Sequence, residues 1–398
     1  MNSISGKIVV SGYAETPVSR ARVDKGEPKL TAEEYYSMAL HMLLKQTGLE
    51  KRDLKGQGVG VAGSVWPHAE IWSAELVQNL GLEPKYLVRA DQGGANGAAL
   101  LVSGILAIHS GYVDHFLILG ADAPMSLSGE GPRTWRYEDD YLKPFGMMGP
   151  NSMMAMVMRR QMHLYGYKPE HYGKVSVVQR GHATLNPNAY LRTPIKMEDY
   201  LASPMISDPV RLLDICIFVN GGLALLLSSQ EKAKTITDKP VLIKGFGEWH
   251  NPSSETALPD VTTSGVKESS KQAYEMAGVK PSDIDLFNPY DDYTAAVLMQ
   301  LEDAGFCPKG GAGKLLEEID ISNRGQLPIN TGGGQLSAGQ AGMVGGLHHI
   351  VEAVRQLREE AGERQVRGAM VGLVTSLGGL AYGGSFVNNY TLVFGAGV

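Results

Sequence analysis

Two glycine-rich stretches, one in each half of the chain, constrain the fold most, because each leads through the same series of elements. The first, Gly93–Gly97, precedes an apolar helix, a glycine turn and the strand 115–120. The second, Gly332–Gly346, precedes another apolar helix, a turn and the strand 369–374. A unit that occurs twice indicates an internal duplication, although a generic α/β protein can also repeat it.

The second glycine stretch also has the physical character of an active-site loop. Its glycines permit positive φ angles and a close approach of the backbone to a ligand. From Gly346 onward the loop becomes a helix N-terminus, whose free N–H groups suit an oxyanion.

Composition narrows the class of protein. The 398 residues are 43% hydrophobic and 20% charged with a net charge of −6, so no basic surplus favours nucleic acid. The two cysteines, Cys216 and Cys307, cannot build a disulfide framework or a four-thiolate zinc site, and we expect no metal. The sequence lacks both a secretory leader and an apolar run of about 18 residues, so we expect a cytoplasmic protein without membrane insertion.

Strand and helix patterns alternate along the chain, which favours an α/β class with mainly parallel pairing. A segment at about 125–235 interrupts the alternation and contains a methionine-rich run at 147–162. Such a run is typical of core packing, and its adaptability also suits a bulky apolar substrate. The polar run Glu231–Pro240 marks a boundary, so we place the N-terminal half at 1–238, including the insertion, and the C-terminal half at 239–398.

Several separate stretches resemble the sterol-carrier-protein-x type of the thiolase superfamily. The glycine loop resembles that family's signature Asn-x-x-Gly-Gly-x-x-Ser-x-Gly-His-Pro-x-Gly, and 203–220, 288–294 and 377–385 resemble three further family motifs. The matching loop positions are Asn330, Gly333, Gly334, Ser337, Gly339 and Gln340. The resemblance implies a thiolase-like, duplicated α-β-α-β-α fold of five layers and a homodimer.

The same comparison shows which thiolase groups are missing. Where the family has Cys-Ala-x-Gly, this chain has Gly94-Ala95-Asn96-Gly97, and a glycine cannot form a thioester. Tyr290 and Gln340 occupy the positions of the two family histidines, and Tyr382 lies in a final loop without cysteine. Glutamine can donate a hydrogen bond to a thioester oxygen but cannot shuttle a proton.

This pattern looks similar to thiolase-like aldolases that remove steroid side chains. The resemblance implies retro-aldol cleavage of a β-hydroxyacyl-CoA to a ketone or aldehyde and a shortened acyl-CoA. We expect CoA as part of the substrate and no covalently bound cofactor. The resemblance also implies a small partner protein with an OB-fold and a zinc ribbon. Two alternatives stay open: another carbon–carbon bond reaction of acyl-CoAs or β-diketones, such as acyl transfer without a covalent intermediate, and a non-catalytic subunit that binds an acyl-CoA or a sterol.

The expected site follows from these matches. Tyr290 and Tyr382 are the candidate proton-transfer groups, and the sequence does not say which is base and which is acid. We expect six further residues to contact the substrate or stabilise the oxyanion, with Gly94 widening the pocket where the cysteine stood. These six are Gln340, Gly94, Asn96, Ser337, Gly339 and Asn288. Tyr293 is predicted to be structural, and Cys216 and Cys307 to be small core residues.

Overall fold

The computed structural model describes residues 4–63, 72–126, 143–147, 149–250, 260–380 and 386–397. Nine strands of these ranges form one mixed sheet in the order β10-β12-β13-β9-β1-β8-β4-β2-β3. The strands of this sheet are β1 Ile8–Glu15, β2 Gly58–Ala62, β3 Tyr86–Arg89, β4 His115–Asp122, β8 Gly221–Ser229, β9 Val241–His250, β10 Leu286–Asn288, β12 Val371–Leu380 and β13 Phe386–Ala396. Four short strands lie outside it: β5 Met205–Ser207, β6 Val210–Arg211, β7 Phe218–Val219 and β11 Gln340–Ala341.

The strand order is symmetric about the β9–β1 pair, where Val9 faces Leu242 and Val10 faces Val241. Moving outward on either side, the first pairing is antiparallel (β1–β8 and β9–β13), the second antiparallel (β8–β4 and β13–β12) and the third parallel (β4–β2 and β12–β10). Only β3 has no counterpart among the described strands. The two halves therefore repeat one topology, as the paired glycine loops predict.

Our expectation of mainly parallel pairing was wrong. Five of the eight pairings in the sheet are antiparallel, including β12–β13, in which Leu380 faces Phe386 across a connection of five residues. A connection this short allows only antiparallel neighbours, because a parallel pair needs a crossover of a dozen residues or more.

Twelve α-helices lie in the described ranges. In the described ranges no helix combines the length and the apolar character needed to cross a bilayer. The helices are α1 Ala32–Thr47, α2 Trp72–Asn79, α3 Asn96–His109, α4 Gly149–Tyr165, α5 Pro169–Leu185, α6 Met197–Ala202, α7 Gln230–Ala233, α8 Val266–Ala277, α9 Thr294–Asp303, α10 Ala312–Glu318, α11 Gly334–Ser337 and α12 Gly346–Leu357.

Three hydrophobic clusters give the layer order. In the central cluster α3 and α12 pack against one face of both halves of the sheet, through residues such as Leu100 and Ile350. The outer face of the first half packs against α1 and α2, and the outer face of the second half packs against α8 and α9. The result is the five-layered α-β-α-β-α arrangement, so the predicted fold class is confirmed.

The methionine-rich segment contributes to the core. Met153, Met154 and Met158 of α4 are buried in the same cluster as α9, while Met156 is half exposed. The packing role predicted for this run is thus confirmed for its buried members, and α4 to α6 cover the side of the second half from which Tyr290 projects.

Candidate active site

Tyr290 lies on the turn between the end of β10 and the start of α9, and its side chain is only 3% exposed. Gln300 of α9 holds this turn, because its Oε1 accepts from Tyr290 N at 3.1 Å and its Nε2 donates to Tyr290 O at 2.7 Å. A buried glutamine that satisfies both backbone groups of one residue fixes the direction in which that residue projects.

The Tyr290 hydroxyl occupies the space beside Gly94. A Cβ atom built on Gly94 would lie 2.5 Å from Tyr290 Cε2 and closer still to Cζ and Oη, which is well inside van der Waals contact. The room that glycine leaves is therefore filled by the phenol, and our expectation that Gly94 widens the pocket is corrected. Gly94 does not have a positive φ, so its backbone conformation does not require glycine. Glycine is needed here because the Tyr290 ring approaches so closely.

The second glycine loop brings Gln340 to the same hydroxyl. Gln340 begins β11, which pairs with β7, and its backbone N donates to Ile217 O at 2.7 Å. Its side-chain Nε2 donates to Tyr290 Oη at 3.2 Å, and its Oε1 accepts from Cys216 Sγ at 2.6 Å. Cys216, Gln340 and Tyr290 thus form a chain of three side chains that ends beside Gly94.

Burial, together with nearby carboxyl groups, keeps the Tyr290 phenol and the Cys216 thiol protonated. Burial, followed by the nearby Asp292 carboxyl, raises the pKa of Tyr290 well above its ordinary value, so the phenol is protonated at neutral pH. Burial and Asp292 likewise raise the pKa of the Cys216 thiol well above the usual range. A thiol that stays protonated is a poor nucleophile, which argues against Cys216 in the role of the family's cysteine.

Two adjacent carboxyls follow Tyr290 and differ in their surroundings. Asp291 Oδ1 accepts from Gln335 N at 2.9 Å and lies 3.0 Å from His349 Nε2. Asp292 Oδ1 is buried with no hydrogen-bond partner among the described residues, and burial followed by the Asp291 charge raises the pKa of Asp292 to about 8. Asp291 therefore anchors the glycine loop at α11, while Asp292 is a carboxyl that is largely protonated at neutral pH.

The sequence alone does not reveal these supporting residues. Cys216 was predicted to be a small core residue, and no contacts were predicted for His349, Gln335 or Asp291. The adjacent Asp291-Asp292 pair was the available signal, because two buried carboxyls next to a motif position require partners. Within the described ranges, no three His, Cys, Asp or Glu side chains gather in a way that would hold a metal ion.

The remaining predicted residues lie near the two loops, and their side chains form hydrogen bonds with other protein groups. Asn96 accepts from Gln92 N at 2.5 Å and donates through Nδ2 to Met343 O at 3.2 Å, which ties the first glycine loop to the second. Ser337 Oγ accepts from Arg180 Nε at 2.9 Å. Their substrate contacts stay predictions.

Two further predicted residues have backbone or orientation roles. Gly339 has a φ of 126°, and a Cβ there would lie 2.7 Å from Val219 Cγ1 and Cγ2, so only glycine fits. Asn288 Nδ2 donates to His349 O at 3.1 Å, whereas its Oδ1 is buried without a partner among the described residues. Substrate binding by either residue also stays a prediction.

Tyr382 lies outside the described residues, so its predicted catalytic role stays a prediction. The described end of β12 that precedes it adjoins the first glycine loop. A Cβ built on Gly93 would lie 2.9 Å from Gly379 N, and one built on Gly378 would overlap Gln92 O. The first and last family motifs are thus in contact through their backbones.

Comparison with known proteins agrees with this geometry. Residues 247–395 match the family model described as thiolase C-terminal domain-like. The chain is 32% identical to a steroid side-chain-cleaving aldolase from Thermomonospora curvata, over 90% of this chain and 92% of that protein. It is 31% identical to an acetyl-CoA acetyltransferase from Methanothermobacter thermautotrophicus, over 84% of this chain and 88% of that protein.

A solved structure gives the same result at the level of the whole fold. An Ltp2-ChsH2(DUF35) aldolase superposes with a TM-score of 0.86 at 29% identity and covers 99% of this chain and 98% of the other. The duplicated five-layered fold, the two glycine loops and these relatives lead to one conclusion. The chain belongs to the thiolase superfamily.

Proposed function

We propose that this chain is a CoA-thioester retro-aldolase, which cleaves a carbon–carbon bond of a β-hydroxyacyl-CoA to a ketone or aldehyde and a shortened acyl-CoA. The observation that carries the proposal is at Gly94, the position where the family has its cysteine. The Tyr290 phenol fills the space beside this glycine. Acyl-cysteine chemistry is impossible at that position, whereas a phenol can transfer a proton. The likeness to two aldolases supports the same reaction class and a steroid or other bulky side chain as the substrate.

The reaction needs two proton transfers and one stabilised oxyanion. A base removes the β-hydroxyl proton, the Cα–Cβ bond breaks as the carbonyl forms, and its electron pair passes into the thioester enolate. An acid then protonates Cα. The raised pKa of Tyr290 suits it to the acid role, because its phenol carries a proton to donate. Tyr382 is then our candidate for the base.

Gln340 is placed to assist this acid. Its Nε2 donates to Tyr290 Oη, so the phenol proton is not held by the Gln340 amide. Because Nε2 carries two protons, the second is available for a thioester oxygen, and one oxyanion donor is worth about 3 kcal/mol in such sites. Asn96, Ser337, Gly339 and Asn288 are proposed to shape or line the substrate site.

The proposal is tested by assaying the purified chain with a β-hydroxyacyl-CoA and measuring the released ketone and the shortened acyl-CoA. We expect Tyr290→Phe to lower kcat by about 10²- to 10⁴-fold, the contribution of a positioned acid. Tyr293→Phe is the matched control, because Tyr293 lies on the same turn and its hydroxyl donates to Asn151 Oδ1 at 2.6 Å. If both variants lose the same activity, Tyr290 has no catalytic role.

We further propose that the chain is a cytoplasmic homodimer and associates with a small protein carrying an OB-fold and a zinc ribbon. The solved aldolase is named as an assembly of two proteins, the second with a DUF35 domain, and this supports the partner. Light scattering of the chain, alone and mixed with such a partner, measures both assemblies. A monomer that fails to bind the partner contradicts this part of the proposal.

Acyl transfer is the second candidate, because an acetyl-CoA acetyltransferase covers most of the chain at 31% identity. Here the two reactions differ in their products. A transferase makes a longer acyl-CoA from two thioesters, whereas the aldolase makes a ketone or aldehyde from one. An acyl group retained on the denatured protein would identify covalent transfer, and CoA binding without any turnover would identify a non-catalytic subunit.

A further inference from the structure

We infer that Cys216 is a positioning residue, which sets the orientation of the Gln340 amide and thereby directs the Tyr290 phenol toward the substrate. The inference deepens the proposed function and rests on it for its catalytic consequence. It begins with the contact between Cys216 Sγ and Gln340 Oε1, which joins residues 124 positions apart in the sequence.

Backbone hydrogen bonds hold both ends of this contact. Cys216 N donates to Asp292 O at 2.9 Å, and Ile215 forms a β-bridge with Tyr293, so Cys216 is fixed to the turn that carries Tyr290. On the other side, Gln340 N donates to Ile217 O at 2.7 Å. The thiol and the amide therefore meet because their backbones are fixed, which reduces the side-chain entropy that the contact costs.

The thiol supplies the chemical asymmetry that an amide lacks. The two ends of a glutamine amide have nearly the same shape, so only the neighbouring groups decide which end is oxygen. Because its pKa is raised, Cys216 presents S–H and acts as a donor, which favours Oε1 on its side. Nε2 then faces Tyr290 Oη, where it donates.

The opposite orientation would interfere with the reaction. If the Gln340 amide were turned over, Oε1 would accept the phenol proton of Tyr290, and that proton would be held away from the substrate. In the observed orientation Oη accepts a hydrogen bond from Gln340, so its own proton is not held by that amide. Cys216 therefore acts through Gln340, without touching the substrate.

Cys216→Ala removes the S–H donor, and Cys216→Ser keeps a donor at the same position. With the full chain and the β-hydroxyacyl-CoA assay, we expect Cys216→Ala to lower kcat about tenfold with KM changed less than about twofold, the ratio expected for about 1.4 kcal/mol. We expect Cys216→Ser to keep kcat within about threefold of the parent. Cys307→Ala is the matched control, because Cys307 is the other cysteine, also has a raised pKa and lies near Glu302, at the end of α9 opposite to the turn that carries Tyr290.

A cycle with Gln340→Ala isolates the mechanism. In the Gln340→Ala background, Cys216→Ala should lower kcat no further, since the amide that it positions is gone. The inference is overturned if Cys216→Ala keeps the parent kcat, if serine is as harmful as alanine, or if the two losses multiply.

A stability measurement separates failure of this inference from failure of the proposed function. In urea unfolding, Cys216→Ala and Gln340→Ala should be coupled by about fivefold in the unfolding equilibrium constant, because the two side chains are in contact. If the coupling is found in a chain without lyase activity, the contact stands and the proposed function is wrong. If coupling is absent, the positioning role is wrong whatever the activity.

Discussion

Replacing Gly94 with alanine should displace the Tyr290 phenol, and the structure gives the size of that displacement. The added Cβ would lie 2.5 Å from Tyr290 Cε2, whereas two carbon atoms pack at about 3.5–4.0 Å, so the ring must retreat by roughly 1 Å. The hydrogen bond from Gln340 Nε2 to Tyr290 Oη is 3.2 Å long, and a retreat of this size lengthens it past about 3.5 Å.

The added methyl group should lower both the stability and the catalytic rate. Overpacking a closed site costs about 1–3 kcal/mol in the free energy of unfolding. Moving a proton-transfer group by roughly 1 Å costs about 10²-fold in rate, so we expect kcat for β-hydroxyacyl-CoA cleavage to fall by that factor in Gly94→Ala. Urea unfolding measures the loss of stability, and the rate at which the ketone and the shortened acyl-CoA form measures the loss of activity.

A double-mutant cycle shows whether the tyrosine causes the effect. In a Tyr290→Ala background the ring is gone, and Gly94→Ala should then cost less than about 0.5 kcal/mol in stability. Gly181→Ala is the control for a glycine-to-alanine change, because a Cβ at Gly181 of α5 meets no atom within 4 Å. We expect that variant to be more stable than the parent by about 0.5–1 kcal/mol. A Gly94→Ala protein that keeps its rate, or that loses equal stability in both backgrounds, would refute the reasoning.

Two further predictions concern pH and buried carboxyls. Burial alone would raise the pKa of Glu352, but Arg364 and Arg355 outweigh it and lower this pKa to about 2, so the stabilisation from Glu352 is present above about pH 4.3 and lost as the pH falls toward 2. Urea unfolding should show a shallower loss in this range for Glu352→Gln, and a slope equal to that of the parent contradicts the prediction. Asp292 has the opposite sign, because its pKa of about 8 lies above the unfolded value, so its contribution is lost as the pH rises from about 3.9 to 8. Asp292→Asn should therefore gain stability relative to the parent across that range, and a constant difference between the two proteins would show that Asp292 is ionised.

Local sequence patterns predicted the parts of the fold that depend on local chemistry. The glycine loops, the helices that follow them and the strand end before Tyr290 are each determined by residues close together in the chain. The symmetric strand order confirmed the duplication. The direction of strand pairing was not predictable in the same way, because periodicity carries no information about direction. Both β8 and β13 lie between two antiparallel neighbours, which are β1 and β4 for β8 and β9 and β12 for β13.

The supporting contacts of the site were out of reach for a different reason. Cys216 and Gln340 are 124 residues apart, and Asp291 and Gln335 are 44 apart, so only the folded chain brings them together. Burial of Cys216 was expected, but a buried thiol is inert in most proteins, and its role depends on which group it faces. Resemblance to a family identified the positions that had changed, while geometry identified their new contacts.

The geometry also relates the two changes at the centre of the site. Any residue at position 94 other than glycine carries a Cβ, and that atom alone is too close to the Tyr290 ring, whatever lies beyond it. A cysteine at 94 and the present position of Tyr290 are therefore mutually exclusive. Substituting tyrosine while the cysteine remained would force the ring out of the site, whereas substituting glycine first leaves an open space that tyrosine can fill. The absence of a Cβ at position 94 is thus the condition for placing the phenol, and a side chain that carries a sulfur is excluded together with every other side chain.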